Sequence, residues 1–231
     1  MYEAVPHAPD GPTTPARFLR VAGRYGFDGL VYWLEDPDIP LALGESGDMT
    51  VATGYQFEAA DRSTTGQTID RVRDLVDVLA VYGPTRPMRR FIAGQERVDV
   101  LQWPVPGDGP IDPAVAKLAR ENGVYVAVDL STVLRSRGGR RVKALDTLTR
   151  SWSVLAHYEV PYVMTGAPTT HLELRAPREV AALGPAFAAP ETAGKVGLAA
   201  WGEVVARTRH QQSDTFIEPG VERIPDETVD R

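Results

Sequence analysis

The sequence contains no cysteine and only three lysines, Lys117, Lys143 and Lys195. Without cysteine, the chain can form neither a disulfide bond nor a thiolate metal site, which fits a reducing compartment. No apolar run approaches the ~18–20 residues that a membrane-spanning helix needs. The amino terminus has neither the basic region nor the apolar region of a signal peptide. We therefore expect a cytoplasmic protein with no membrane partner.

Positive charge is scarce in this chain and is carried almost entirely by arginine. The 25 Lys and Arg residues face 31 Asp and Glu residues, so the formal net charge is −6. An acidic balance, taken alone, argues against nucleic acid as a partner. Scarce lysine with abundant carboxylates, however, indicates adaptation to high salt, where the Debye length falls to about 3 Å at 1 M. Under those conditions an acidic protein can still bind RNA through local arginine contacts.

Apolar strands and helices alternate about eight times along the chain, whose hydrophobic share is 43%. Apolar strands joined by helical crossovers are typical of a parallel sheet with both faces covered. Eight such units in a chain of this length predict one α/β domain, a TIM-type (β/α) barrel over residues 1–208. An open, doubly wound sheet is the alternative. The polar residues 209–231 predict a disordered tail.

Local composition sets the expected boundaries of these elements. Either Thr13 or Thr14 is a candidate cap of the first helix, and Asp112 of a later one; both helices begin with proline. Apolar residues spaced by three or four predict a long helix over Val142–Tyr158. Phe187 marks a weak eighth strand. The seven stronger strands are predicted at residues 2–5, 27–33, 51–59, 75–82, 98–103, 124–130 and 162–165.

Two predicted turns concentrate the positive charge of the chain. In a barrel, the turns after the fourth and sixth strands open on the same face, above the carboxyl ends of the strands. Arginine binds phosphate through two parallel hydrogen bonds, and Gly138 and Gly139 allow a close approach of backbone N–H groups. Both turns are therefore predicted to bind RNA or a partner, although solvated charged loops are the alternative. The residues are Arg86, Arg89 and Arg90 in one turn, and Arg135, Arg137, Arg140, Arg141 and Lys143 in the other.

A metal-dependent hydrolase is a second interpretation of the same barrel. His7, Asp61, Asp129 and His171 follow the first, third, sixth and seventh strands, where barrel enzymes place their metal ligands. The sequence has no His-x-His pair, no phosphate-binding glycine loop and no nucleophile motif. These four side chains can equally be ordinary loop residues. The pattern favours a chain that carries neither catalytic residues nor a metal site.

Five segments, in order, carry a resemblance to a known family. They read Gly-Phe-Asp-Gly-Leu-Val over 26–31, Arg-Val-Asp-Val-Leu over 97–101 and Glu-Asn-Gly-Val followed by an apolar strand and Asp-Leu-Ser over 121–131. Thr-Gly-Ala then occupies 165–167, and Arg-Ala-Pro-Arg-Glu opens the segment 175–184. Together they resemble ribonuclease P protein component 3, the archaeal counterpart of the thirty-kilodalton subunit of the eukaryotic enzyme.

The resemblance implies a TIM-barrel-like subunit of ribonuclease P, which removes the 5′ leader from precursor tRNA. It implies that the RNA subunit holds Mg²⁺ and cleaves, so this chain would bind no cofactor itself. Its implied partners are the ribonuclease P RNA, a second protein subunit with which it pairs, and precursor tRNA as substrate of the complex. Arg135, Arg175 and Arg178 match motif positions and are expected on functional surfaces. The turn Ser136–Arg141 is richer in arginine than the family pattern, so its role is inferred from chemistry.

Overall fold

Seven parallel strands form one sheet in the order of the chain and curl into a nearly closed barrel. The computed structural model describes residues 1–7, 11–41, 47–103, 109–213, 215–218 and 221–222. The TIM-type α/β fold predicted from the sequence is confirmed. The strands are β1 (Tyr2–Pro6), β2 (Gly29–Leu34), β3 (Thr50–Glu58), β4 (Val78–Tyr82), β5 (Val100–Gln102), β6 (Tyr125–Asp129) and β7 (Tyr162–Thr165).

Helices connect the strands and cover the outside of the barrel. Of the two threonines predicted as caps of the first helix, Thr14 takes the position, without a side-chain capping hydrogen bond. Asp112 caps its helix as predicted and accepts a hydrogen bond from the Ala114 N–H at 2.8 Å. None of the helices in the described ranges is long and apolar enough to cross a membrane. The helices are α1 (Pro15–Tyr25), α2 (Arg62–Val72), α3 (Arg86–Ala93), α4 (Pro113–Glu121), α5 (Ser131–Arg135), α6 (Gly138–His157), α7 (Pro177–Ala181) and α8 (Ala193–Gln211).

The predicted eighth strand at Phe187 is wrong. Phe187 ends a short 3₁₀ turn, Gly184–Phe187, and its buried ring packs edge-on against Trp152 of α6 at 6.1 Å. Pro185 lacks the N–H that a strand ladder needs, and Ala188 adopts a left-handed conformation with φ of 61°. The segment is therefore too short and too tightly turned to form a strand.

Helix α8 fills the gap that an eighth strand would occupy. In the described sheet, β1 and β7 are the two edges and share no ladder. A Cβ atom at Gly197 would lie 2.7 Å from the Cβ of Met164 in β7, and one at Gly202 would lie 2.8 Å from the Tyr2 ring in β1. Only glycine therefore lets the helix approach both edges. The indole N–H of Trp201 donates to the edge carbonyl of Met164 at 2.9 Å.

The barrel interior is lined by small side chains. Alanine and valine from all seven strands form one buried cluster, into which α8 inserts Trp201. The Trp201 ring meets Trp33 of β2 edge-on at 5.8 Å. The fully buried strand residues of this layer are all alanine or valine, and a cavity remains open above them at the carboxyl ends of the strands. The lining residues are Ala4, Val31, Ala52, Val78, Ala80, Val100, Ala127 and Val163.

Charged groups fix the carboxyl-terminal part of α8 to the amino ends of the strands. Buried Asp99 accepts hydrogen bonds from Arg73 and, at 3.0 Å, from Arg207. Arg209 donates to Asp77 at 2.6 Å. Because α8 continues to Gln211, the boundary predicted between residues 208 and 209 falls inside a helix.

Part of the predicted tail is structured. Residues Phe216–Glu218 (β8) and Val221–Glu222 (β9) pair as a short antiparallel hairpin. The remainder of the predicted tail, including residues 223–231, lies outside the described residues.

A buried carboxylate joins the two edge strands beside α8. Glu3 of β1 is 1% exposed and accepts hydrogen bonds from the Thr165 hydroxyl and, at 3.0 Å, from the N–H groups of Gly166 and Ala4. Burial raises the pKa of the Glu3 carboxyl to about 7, although these three donors oppose the rise. Glu3 therefore holds a proton more tightly in the folded chain than in the unfolded chain.

We expect Glu3 to make the stability of the protein depend on pH between about 4.5 and about 7. Below that window both states are protonated, and as pH rises the unfolded state ionises first, so the free energy of unfolding falls. Glu3 contributes at most about 3 kcal/mol, because a tenfold difference in proton affinity between the two states corresponds to about 1.36 kcal/mol. Denaturant unfolding at fixed high salt should show a flatter pH dependence for Glu3→Gln than for the wild type.

The matched control for this experiment is Glu191→Gln, because Glu191 is exposed. Its pH profile should follow the wild type. Identical profiles for all three proteins would contradict the raised pKa of Glu3. A uniform loss of stability in Glu3→Gln at every pH would reflect the lost hydrogen bonds alone.

Candidate functional site

The carboxyl ends of the strands surround an open cavity of about 580 Å³. Asp129, at the end of β6, lies in its wall and accepts a hydrogen bond from the Ser131 N–H at 2.6 Å. Burial raises the pKa of the Asp129 carboxyl, while the Ser131 hydrogen bonds and nearby Arg135 lower it. The polar and aromatic lining includes Trp33, Gln56, Glu58, Gln102, Trp103 and Arg135.

The predicted basic turn after β6 is a junction between two helices. Helix α5 ends at Arg135 and α6 begins at Gly138, whose φ of 55° favours glycine. Residues 137–143, which we call the basic segment, are all exposed. Its four cations are Arg137, Arg140, Arg141 and Lys143, and none has a hydrogen bond or ion pair within the described part of the chain.

The start of α6 also presents unpaired backbone donors. The cap position is taken by Arg137, whose side chain makes no capping hydrogen bond, and the first turn contains no acid. The first N–H groups of a helix have no partner within the helix, and its dipole favours an anion there. The basic segment thus combines free N–H groups, two glycines and four cations, which is the chemistry that binds phosphate.

Arg135 differs from its neighbours because it is held by the protein. Its guanidinium donates to the carbonyls of Gly166 at 3.3 Å and Ala167 at 2.9 Å, and to Glu173 at 3.2 Å. Ala167 has a φ of 43°, a left-handed conformation that these bonds help to maintain. Arg135 therefore positions the connecting loop, residues 166–176, between β7 and α7.

The second predicted cluster, at the start of α3, is largely neutralised or buried. Arg86 and Arg90 both form ion pairs with Asp112 at the start of α4. Arg89 is 7% exposed, donates to the Gly83 carbonyl at 2.7 Å and lies 4.7 Å from the centre of the Trp103 ring. Arg89 therefore packs the interior and does not belong to an exposed binding surface.

The two other arginines from the family motif lie at the far end of the connecting loop from Arg135. Arg175 is exposed and donates weakly to the carbonyls of Leu172 and Leu174, at 3.4 and 3.5 Å. Arg178 is exposed at the start of α7 and has no side-chain partner among the residues that the structure places. Both remain candidates for contact with RNA or protein.

The four candidate metal ligands do not form one site. His171 is held by the Thr13 hydroxyl at Nδ1 and accepts from Arg17 at Nε2. Asp61 is an exposed helix cap, and the Thr64 N–H lowers the pKa of its carboxyl. His7 contacts the Tyr32 ring edge-on, while Asp129 faces the cavity. Within the described residues no group of three or more histidines and acids could hold a metal ion.

A further set of arginines, on α1, was not among the residues predicted from the sequence. Arg17, Arg20 and Arg24 are all exposed. Their spacing of three and four residues places them on one face of the helix, opposite its buried side chains. The same spacing is visible in the sequence, and it could have identified this face because no acid interrupts it.

Comparison with known proteins identifies the family. The model of the family described as "RNase P subunit p30" matches residues 4–213. Ribonuclease P protein component 3 of Halobacterium salinarum is 37% identical over 96% of this chain and 97% of its own length. The protein of the same name from Haloarcula marismortui is 36% identical, over 100% and 99%. Halophilic archaea are thus among the relatives, as the scarcity of lysine led us to expect.

A solved structure supports the fold independently. A chain in the cryo-EM structure of archaeal ribonuclease P with mature tRNA superposes with a TM-score of 0.84, covering 98% of this chain and 99% of that one. The two chains are only 18% identical, so this likeness bears on the fold alone. The family model and the relatives carry the assignment: this chain belongs to the ribonuclease P subunit p30 family.

Proposed function

We propose that this chain is a protein subunit of ribonuclease P and supports RNA-catalysed removal of the 5′ leader from precursor tRNA. The observation that carries the proposal, beyond the family, is the basic segment. In a chain of net charge −6, four exposed cations stand together without acidic partners among the described residues. Binding to a phosphate backbone requires clustered cations, whereas a surface that contacts only water does not.

The division of labour in this proposal follows from what the chain offers. The barrel supplies a rigid face with cations and helix N–H groups, which can orient RNA but cannot cleave it. Mg²⁺ and the cleavage step belong to the RNA subunit. The chain acts in the cytoplasm, where its partners are the ribonuclease P RNA, a second protein subunit with which it pairs, and precursor tRNA as substrate of the whole complex.

Reconstitution tests the proposal. The cognate ribonuclease P RNA is incubated with the other protein subunits, with and without this chain, and cleavage of precursor tRNA is measured over a range of Mg²⁺ concentrations. We expect the chain to raise the cleavage rate, or to lower the Mg²⁺ that cleavage needs, and to cleave nothing by itself. Turnover by the chain alone, after rigorous removal of nucleic acid, would overturn the proposal.

A further inference from the structure

Helix α1 carries three arginines, and the sequence around them contains no acidic residue that could balance their charge. From Gly11 to Phe27 the chain has three arginines and no acid, although acids outnumber basic residues in the chain as a whole. We call Arg17, Arg20 and Arg24 the α1 stripe. The opposite face of the helix is buried in the protein through Phe18, Leu19 and Ala22.

The α1 stripe lacks the carboxylate partners that several other exposed arginines have. Arg71 pairs with Asp38, Arg97 with Asp70 and Arg150 with Asp146. In the described ranges, Arg20 and Arg24 have no side-chain hydrogen bond or ion pair, and Arg17 meets the imidazole of His171 at 3.2 Å. The three arginines of the α1 stripe, like the cations of the basic segment, therefore have no carboxylate partner among the described residues.

One loop contacts both the α1 stripe and the helix that precedes the basic segment. The connecting loop meets Arg17 and Thr13 through His171, and it meets Arg135 through Gly166, Ala167 and Glu173. The connecting loop therefore contacts Arg17 of the α1 stripe at one point and, at another, Arg135, two residues before the basic segment. From Arg17 to Arg24 the stripe extends for about 10 Å along the helix axis, at about 1.5 Å per residue.

We propose that the α1 stripe is a second contact for an RNA phosphate backbone, separate from the basic segment. The inference rests on the proposed function, because it takes the RNA to be that of the ribonuclease P complex. Apart from the arginines and Tyr25, the exposed residues of α1 are only Ala16 and Gly23, so the helix itself offers little apolar surface to a protein interface. Tyr25, at the end of the helix, is 44% exposed and can stack on an unpaired base.

The salt dependence of binding distinguishes a phosphate contact from other roles. The variant Arg20→Gln/Arg24→Gln is assembled with the other protein subunits, and its affinity for the ribonuclease P RNA is measured from about 0.1 M to about 1 M KCl. We expect binding weaker by roughly thirtyfold at the lowest salt, and a log–log salt slope shallower by about two units. The variant Arg20→Lys/Arg24→Lys keeps the charges and should keep most of the slope.

The matched control is Arg71→Gln/Arg97→Gln, which removes the same charge from exposed ion pairs. It should leave both affinity and slope unchanged. Suppose that the wild-type chain activates the complex and that the α1 variant binds RNA as this control does. The α1 contact is then overturned, and the proposed function stands. The α1 variant could instead fail to bind the other protein subunits in the absence of RNA, while the salt slope of RNA binding stays unchanged. The stripe would then contact a protein, and the inference would be overturned. Failure of the wild-type chain to stimulate cleavage would instead reject the proposed function.

Discussion

Replacing Trp201 by alanine should lower the free energy of unfolding by about 3–5 kcal/mol, the range measured for large-to-small changes at buried aromatic positions. Trp201 is 1% exposed and is the largest side chain that fills the barrel interior. Its buried neighbours from the strands are alanine and valine, which are too short to close the space it would leave beside the Trp33 ring. The edge carbonyl of Met164 would also lose its hydrogen-bond donor. Thermal unfolding in constant high salt measures the loss, and for a chain of this size the midpoint should fall by roughly 10 °C or more.

Trp201→Phe keeps much of the packing and removes the hydrogen bond. It keeps an aromatic ring against Trp33 but leaves a small cavity and removes the indole N–H donor to the Met164 carbonyl. We therefore expect a smaller loss than for Trp201→Ala, about 1–3 kcal/mol from the two effects together. Equal stability of the wild type and Trp201→Ala would show that α8 does not seal the barrel through this side chain. The contacts of Arg207 with Asp99 and of Arg209 with Asp77 would then be the interactions that hold α8 against the barrel.

Local signals along the sequence were sufficient to predict the parallel barrel and several helix caps. Buried apolar strands joined by helical crossovers commonly form a right-handed parallel arrangement. Asp112 caps the helix that begins at Pro113 through a hydrogen bond to a residue only two positions away. The closure of the barrel was not predictable in this way. Helix α8 closes the barrel because Gly197 and Gly202 let it pack against strands more than thirty residues away in the sequence. No local sequence pattern indicates this packing.

The ion-pair partners of the arginines in the candidate site were likewise not predictable from local sequence. The sequence places arginines in two turns, but it does not say which of them have partners. Asp112 neutralises Arg86 from 26 residues away, and Glu173 reaches Arg135 across 38 residues. Burial of Arg89 beside Trp103 is likewise a product of packing between elements. What the sequence could predict was the position of the basic segment, because its cations are free of acids in their own stretch of chain.

Neutralising the basic segment should disrupt assembly while the fold survives. In the variant Arg137→Gln/Arg140→Gln/Arg141→Gln/Lys143→Gln, four exposed side chains without partners in the described chain lose their charge. Each phosphate contact contributes on the order of 1 kcal/mol at low salt, so the loss of all four amounts to about 4 kcal/mol, or roughly a thousandfold in affinity. We expect weaker binding to the ribonuclease P RNA, slower cleavage of precursor tRNA by the reconstituted complex, and an unchanged unfolding midpoint.

The chain offers a control of closely matched composition for this experiment. Arg71, Arg97, Lys117 and Arg150 are also exposed, but each pairs with a carboxylate: Asp38, Asp70, Glu121 and Asp146 respectively. Changing these four to glutamine removes the same charge, and the surface ion pairs it breaks contribute little to stability. Because net charge is matched, a defect confined to the first variant must come from the position of its cations at the start of α6. Equal assembly and cleavage by both variants would remove the basic segment from the RNA-binding surface and leave Arg175, Arg178 and the α1 stripe as its remaining candidates.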